Sequence, residues 1–70
     1  MIDKKKALKI AQENAGKFYR DLSVYDALIK LENNNWHVDY VLKDKHLDGG
    51  GPHYVISAAT GEILEMRFEQ

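Results

Sequence analysis

Three histidines, His37, His46 and His53, together with Asp39, are the side chains best suited by type to chemistry. An imidazole can ligate a metal, carry a proton or activate a nucleophile, given the right neighbours. His37 and His53 fall on positions that face the same side of their strands, Asp39 is two residues from His37, and His46 lies in a connecting segment. No two of the three share a recognised ligand spacing on one element, and the chain has no cysteine, so the expectation is surface histidines and no metal. Ser23, Ser57 and Thr60 sit in a connection, a strand and a turn without a base and acid placed to activate them. Glu62 and Glu65 are paired carboxylates, but nothing near them in sequence promises an apolar pocket to raise a pKa. Asp48-Gly49-Gly50-Gly51-Pro52-His53 holds three glycines that could cradle an anion, yet a phosphate loop opens a helix and this one runs into Tyr54-Val55-Ile56. It reads as a glycine-permitted bend leading into a strand. The residues therefore point away from an enzyme and imply no cofactor.

The elements that would carry these side chains follow from hydropathy. Leu8, Ala11, Ala15, Phe18 and Leu22 recur at spacings of three and four, with Ala7 and Tyr19 widening the stripe, which predicts a helix over residues 3 to 18 or 19. Asp3 is its N-cap, Lys6 at the third helical position denies it a capping box, and Lys4, Lys5 and Lys6 form a solvated first turn. Gly16 either ends this helix early or permits a close approach.

From Tyr25 onward the period is two. Tyr25, Ala27, Ile29 and Leu31 alternate with Asp26, Leu28, Lys30 and Glu32, and Trp36, Val38, Tyr40 and Leu42 with His37, Asp39, Val41 and Lys43. Opposed residues of an antiparallel pair share a face, so a two-residue Asn33-Asn34 loop is needed to set Leu31 against Trp36, Ile29 against Val38, Ala27 against Tyr40 and Tyr25 against Leu42. That loop demands a type I′ turn with positive φ at both asparagines. In a second hairpin, a three-residue Ala59-Thr60-Gly61 loop sets Ile56 against Leu64 and Tyr54 against Met66, with Gly61 left-handed beside a bulge. Pro52 suits the first position of its strand. The expected fold is a single α+β domain over residues 1–70, one N-terminal helix packed on a four-stranded antiparallel meander in α-β-β-β-β order, cystatin-like or PepSY-like.

Seventy residues, 44% of them hydrophobic and 30% charged, make one folded domain and leave no room for two lobes around a cleft. A core of this size supplies only about 3–5 kcal/mol, so Phe18, Tyr25, Trp36, Tyr40, Tyr54 and Phe68 are all expected in it. Committing them there also leaves little for a small-ligand groove lined by Trp36, Tyr40, Tyr54 and Phe68. A net charge of −1 argues against nucleic acid, and the absence of a long apolar run argues against membrane insertion. The Met-Ile-Asp-Lys-Lys-Lys start lacks an apolar stretch behind its basic residues and reads as cytoplasmic. Were a signal peptide cleaved ahead of it, the same chain would be secreted or periplasmic.

Function is pushed onto the outer surface. The sheet face away from the helix is expected to carry Leu28, Val41, Val55 and Ile63 among His37, Asp39, His53, Lys30, Glu65 and Arg67. Isolated β-branched residues suit any strand, but an apolar centre with a charged rim is also how a contact face for another protein or a second copy is built.

Two family resemblances bear on this. Asn35-Trp36-His37-Val38-Asp39-Tyr40, Gly49-Gly50-Gly51-Pro52-His53-Tyr54-Val55-Ile56 and Thr60-Gly61-Glu62-Ile63-Leu64, with Ala7-Leu8-Lys9-Ile10-Ala11 ahead of them, resemble small bacterial immunity proteins of the nuclear-transport-factor-two-like fold. The same segments are similar to PepSY-type domains, which run from a helix into strands and end in a Thr-Gly-x-Ile/Val-Leu hairpin. The first resemblance implies a toxin partner blocked by steric contact in a bacterial cytoplasm. The second implies an inhibitory contact with a peptidase-like or membrane protein outside it. Both imply a non-catalytic binding protein, and the single helix implies that the pocket of the larger immunity fold is absent.

Overall fold

A computed structural model describes residues 1–44, 46 and 50–68. Helix α1 (Lys4–Ala15) is followed by strands β1 (Tyr25–Glu32), β2 (Asn35–Leu42), β3 (Pro52–Ser57) and β4 (Ile63–Phe68), which form one antiparallel sheet in the order β1-β2-β3-β4. This is the α+β meander the periodicities predict. Among the described residues no helix is long and apolar enough to cross a membrane.

Asp3 caps α1, its Oδ1 accepting from the Lys6 N–H at 2.8 Å. The helix stops earlier than its apolar stripe. Gly16 is still right-handed, at φ −61 and ψ −16, but Lys17 and Phe18 donate to carbonyls only three residues back, so the chain tightens and turns away. Phe18 is carried out of the core to 60% exposure, where it meets Phe68 edge-on at 5.6 Å. Phe68 is itself 53% exposed, so neither phenylalanine belongs to the core expected of them. The ring chain runs on through Tyr19, Tyr25, Tyr40 and Tyr54, with centroid separations of 5.9–6.5 Å.

The core sits under the two central strands. Val38 and Tyr40 of β2, Tyr54 and Ile56 of β3, and Ala58 are buried against Ala7, Ala11 and Ala15 of α1. Three alanines let the helix axis approach the sheet closely, and Trp36, Ile29, Leu8 and Leu22 fill the margins. The Tyr54 hydroxyl donates to Asn14 Oδ1 at 2.9 Å and the Trp36 indole N–H to the Ile2 carbonyl at 3.1 Å, so each buried ring satisfies its polar atom. Burial, then the nearby Tyr40 and Tyr19 hydroxyls, push the Tyr54 phenol up to about 12. Burial raises Tyr40 as well.

The first hairpin has the derived register at every pair, from Leu31↔Trp36 to Tyr25↔Leu42, and Asn33 and Asn34 have φ of 52 and 62. The second differs at its tip. Ser57 donates to the Glu62 carbonyl and Gly61 to that of Ser57, both at 2.8 Å, so four residues form the loop, with Gly61 at φ 83 closing it. Ile56 then faces Ile63, not Leu64, while Val55 faces Glu65 and Tyr54 faces Met66. Leu64 is the extra residue of a β-bulge. An even loop plus one bulged residue restores the parity that an odd loop would have given, and beyond the bulge the expected pairing returns.

Candidate functional site: the uncovered sheet face

One helix covers one face of the sheet, and the other face is built by the registers alone. Across the strands it carries a row Leu28–Asp39–His53–Arg67 and, next to it, a row Lys30–His37–Val55–Glu65, with Val41 opposite Asp26 beyond the first row. His37, Asp39, Val41, His53 and Val55 on the central strands are half-buried, whereas Leu28, Glu65 and Arg67 on the edge strands are exposed.

The centre of the face is polar and ordered. His53 Nδ1 lies 2.6 Å from Asp39 Oδ1 across the β2–β3 pair, with the two side chains 18% and 39% exposed. A carboxylate oxygen accepts, so Nδ1 carries the hydrogen and the ring is held in one orientation. At the rim, Lys30 pairs with Glu32 at 3.3 Å and Arg67 with Glu65 at 3.5 Å, all well exposed and worth little to stability. His46 is elsewhere, its N–H donating to Asp44 Oδ1 at 2.9 Å.

Eight of the nine sequence-predicted contact residues, Leu28, His37, Asp39, Val41, His53, Val55, Glu65 and Arg67, share this face. Ile63 does not. The bulge at Leu64 turns it to the helix side, opposite the fully buried Ile56, where it packs on the core. Without it the apolar residues do not form the expected stripe. Leu28 is opposite Asp39, Val41 is opposite Asp26 and Val55 is flanked by His37 and Glu65, so the face alternates apolar and polar positions.

The His53–Asp39 pair is what sequence reasoning missed, having set Asp39 beside His37 only. The β2–β3 connection, running from residue 43 to 51, is too long for a two- or three-residue loop to fix the register, but opposing Trp36 with Ile56 and Val38 with Tyr54 by the same parity rule would have found it. Chemically, an oriented imidazole–carboxylate pair can accept or relay a proton. Ser57 shares its face but is four residues along β3 from His53, about 13 Å at the rise of an extended strand, and so cannot be activated by it. No cluster of three His, Asp or Glu side chains suited to a metal exists among the described residues. Of the glycine bend, Asp48 and Gly49 lie outside the described residues. Gly50 leads into a buried Gly51 and Pro52, and Pro52 opens β3 as expected.

On the helix side, a shallow groove between α1 and β1 is lined by Leu8, Gln12, Leu22, Ala27 and Tyr40. Tyr40 and Tyr54, expected to line a carrier's groove if there were one, are only 5% and 1% exposed and belong to the core.

The chain is thus a small α+β domain in which, among the described residues, helix α1 covers one face of the sheet and nothing covers the other. No family model, curated protein or solved structure matches it.

Proposed function

We propose that this protein is a non-catalytic binding module that acts by covering a partner protein with the open face of its sheet. The observation that carries the reading is the incomplete layering. A four-stranded sheet is stable with one face solvated, yet the central positions of that face, His37, Val41, His53 and Val55, are half-buried residues of mixed polarity around one ordered hydrogen bond. Such a mixture of apolar area, fixed polar groups and a charged rim suits a specific protein contact. With the resemblance to bacterial immunity proteins, the partner is a toxin whose working surface is blocked on contact. The PepSY-like alternative, in which the partner is a peptidase-like or membrane protein, draws support from the one-helix plan and from the Thr60–Gly61 turn that closes the last hairpin.

The test is a comparison of wild type with Val41→Lys/Val55→Lys in capture of partners from the native lysate, with helix content checked by circular dichroism. Both valines are on the solvent side of the sheet, so the fold should persist while capture is lost. An unchanged set of captured proteins would remove this face from consideration.

A further inference from the structure

The two edges of the sheet are not equally protected. β4 is broken by the bulge at Leu64, one of the devices by which edge strands avoid pairing with other chains. β1 lacks that device: its eight residues, Tyr-Asp-Ala-Leu-Ile-Lys-Leu-Glu, contain no proline, glycine or bulge, and its edge charges, Asp26, Lys30 and Glu32, are of both signs and so can be paired as well as repelled. Exposed apolar side chains gather along it, with Leu28 at 55%, Leu31 at 47% and Val24, just ahead of the strand, at 46%. A two-residue hairpin makes Glu32 and Asn35 a hydrogen-bonded pair, so the backbone groups of Glu32, Lys30, Leu28 and Asp26 turn toward β2. Those of Leu31, Ile29 and Ala27 turn outward along the open edge.

We propose that β1 pairs with β1 of a second copy of this chain, antiparallel, about a two-fold axis through Leu28. Three constraints select the register. Apolar faces must match, which requires inner residues to oppose inner residues. Outward-turned backbone groups must meet, which opposes Ala27 to the partner's Ile29 and Leu31 to the partner's Tyr25, where only the Tyr25 carbonyl is available because its N–H donates to the Leu22 carbonyl. Charge decides between the registers that remain. With Leu28 on the axis, Asp26 opposes the partner's Lys30 and Lys30 the partner's Asp26, both on the solvent side of the sheet. Moving the axis to Ile29 sets Asp26 against the partner's Glu32 twice over, and moving it to Lys30 sets like charges face to face. Centring on Ala27 leaves Asp26 opposite a leucine and Lys30 opposite Val24. Of these registers the Leu28 one alone sets unlike charges opposite each other, and its one mismatch, Glu32 against the partner's Val24, falls at the ends of the paired strands. A net charge of −1 per chain offers little long-range repulsion to the approach.

The product is a continuous eight-stranded sheet with both helices on one side and both open faces on the other. It covers Leu28 and Leu31, and it stands whether or not the open face binds a toxin.

Sedimentation equilibrium from micromolar to millimolar chain should show a species of twice the 8.1 kDa chain mass at the upper end. Asp26→Lys and Lys30→Asp should each weaken association about ten-fold, since each turns two opposed pairs from unlike to like charge. The double variant Asp26→Lys/Lys30→Asp should recover it. Leu28→Lys, at an exposed position that the monomer fold does not need, should abolish it. The Ala27 and Ile29 amides should gain protection from hydrogen exchange as concentration rises. Wild type that stays at chain mass to millimolar concentration would overturn the proposal. So would Asp26→Lys associating as tightly as wild type or more tightly, which would put Asp26 opposite Glu32, or disruption by Arg67→Glu alone, which would put the contact at β4.

Discussion

Gly51 offers the sharpest test of how the sheet is packed. It precedes β3, and its N–H donates to the Tyr40 carbonyl at 2.9 Å. A Cβ at this position would lie 2.7 Å from Tyr40 Cβ and 3.0 Å from Cδ1 and Cε1 of the Tyr25 ring. Ordinary carbon contacts are near 3.5–4.0 Å. The Tyr25 ring can swing aside, but Tyr40 Cβ is fixed to the backbone of a central strand, so relief requires the strands to part. Overpacking of this kind costs about 1–3 kcal/mol. Alanine also restricts the unfolded chain, which returns about 0.4–1 kcal/mol at a site whose φ it tolerates. Gly51→Ala should therefore destabilise by about 1–2 kcal/mol, lowering the melting temperature by about 5–15 °C in a domain of this length. Urea and thermal unfolding, followed by far-ultraviolet circular dichroism and Trp36 fluorescence, would measure it. Adding Tyr25→Ala should relieve the ring contact and leave the Tyr40 contact, so the double variant should stay less stable than Tyr25→Ala alone. A Gly51→Ala protein as stable as wild type, or more so, would refute the close approach of residue 51 to β2.

Two further outcomes follow from the same packing. Because burial raises the Tyr54 phenol to about 12, from an unfolded value near 10, its contribution is intact below pH 10 and lost as pH rises through 12. Stability measured against pH should fall in that window, and Tyr54→Phe should flatten the fall while losing about 1 kcal/mol at neutral pH with the hydrogen bond to Asn14. Gly61→Ala forces an L-residue to φ 83 with its Cβ 3.3 Å from Ile10 Cδ1, and should cost about 1–2 kcal/mol by urea midpoint.

The legible parts of the sequence were those governed by parity and by turn chemistry. Asn33-Asn34 between two strands of period two admits one register, and that register is present. Ala58-Ala59-Thr60-Gly61 admits two loops, of three or four residues, and both put Gly61 in the left-handed region. Only packing of Ile63 against Ile56 decides between them, and no local pattern encodes that choice. The fate of Phe18 was hidden for a related reason. Helical spacing placed it on the buried stripe, but a stripe persists in sequence after Gly16 has let the chain leave the helix. Of the candidate site, membership of the face was readable except for Ile63. The His53–Asp39 bond depended on a register that no two- or three-residue loop fixes.

The order of the strands across the sheet repeats their order along the chain, and this shapes how the protein assembles. Each strand leaving the ribosome finds its neighbour already present, so pairing never waits on a distant segment and loop-closure entropy stays small at each step. The helix is made before the strands yet gains least alone: it is twelve residues long, its first turn is basic, and the face it buries is alanine. Its docking surface, Val38, Tyr54 and Ile56, exists only once β3 has joined β2. The helix, synthesised ahead of the strands, thus becomes stable only after them, and until then both sides of the growing sheet stand open to water.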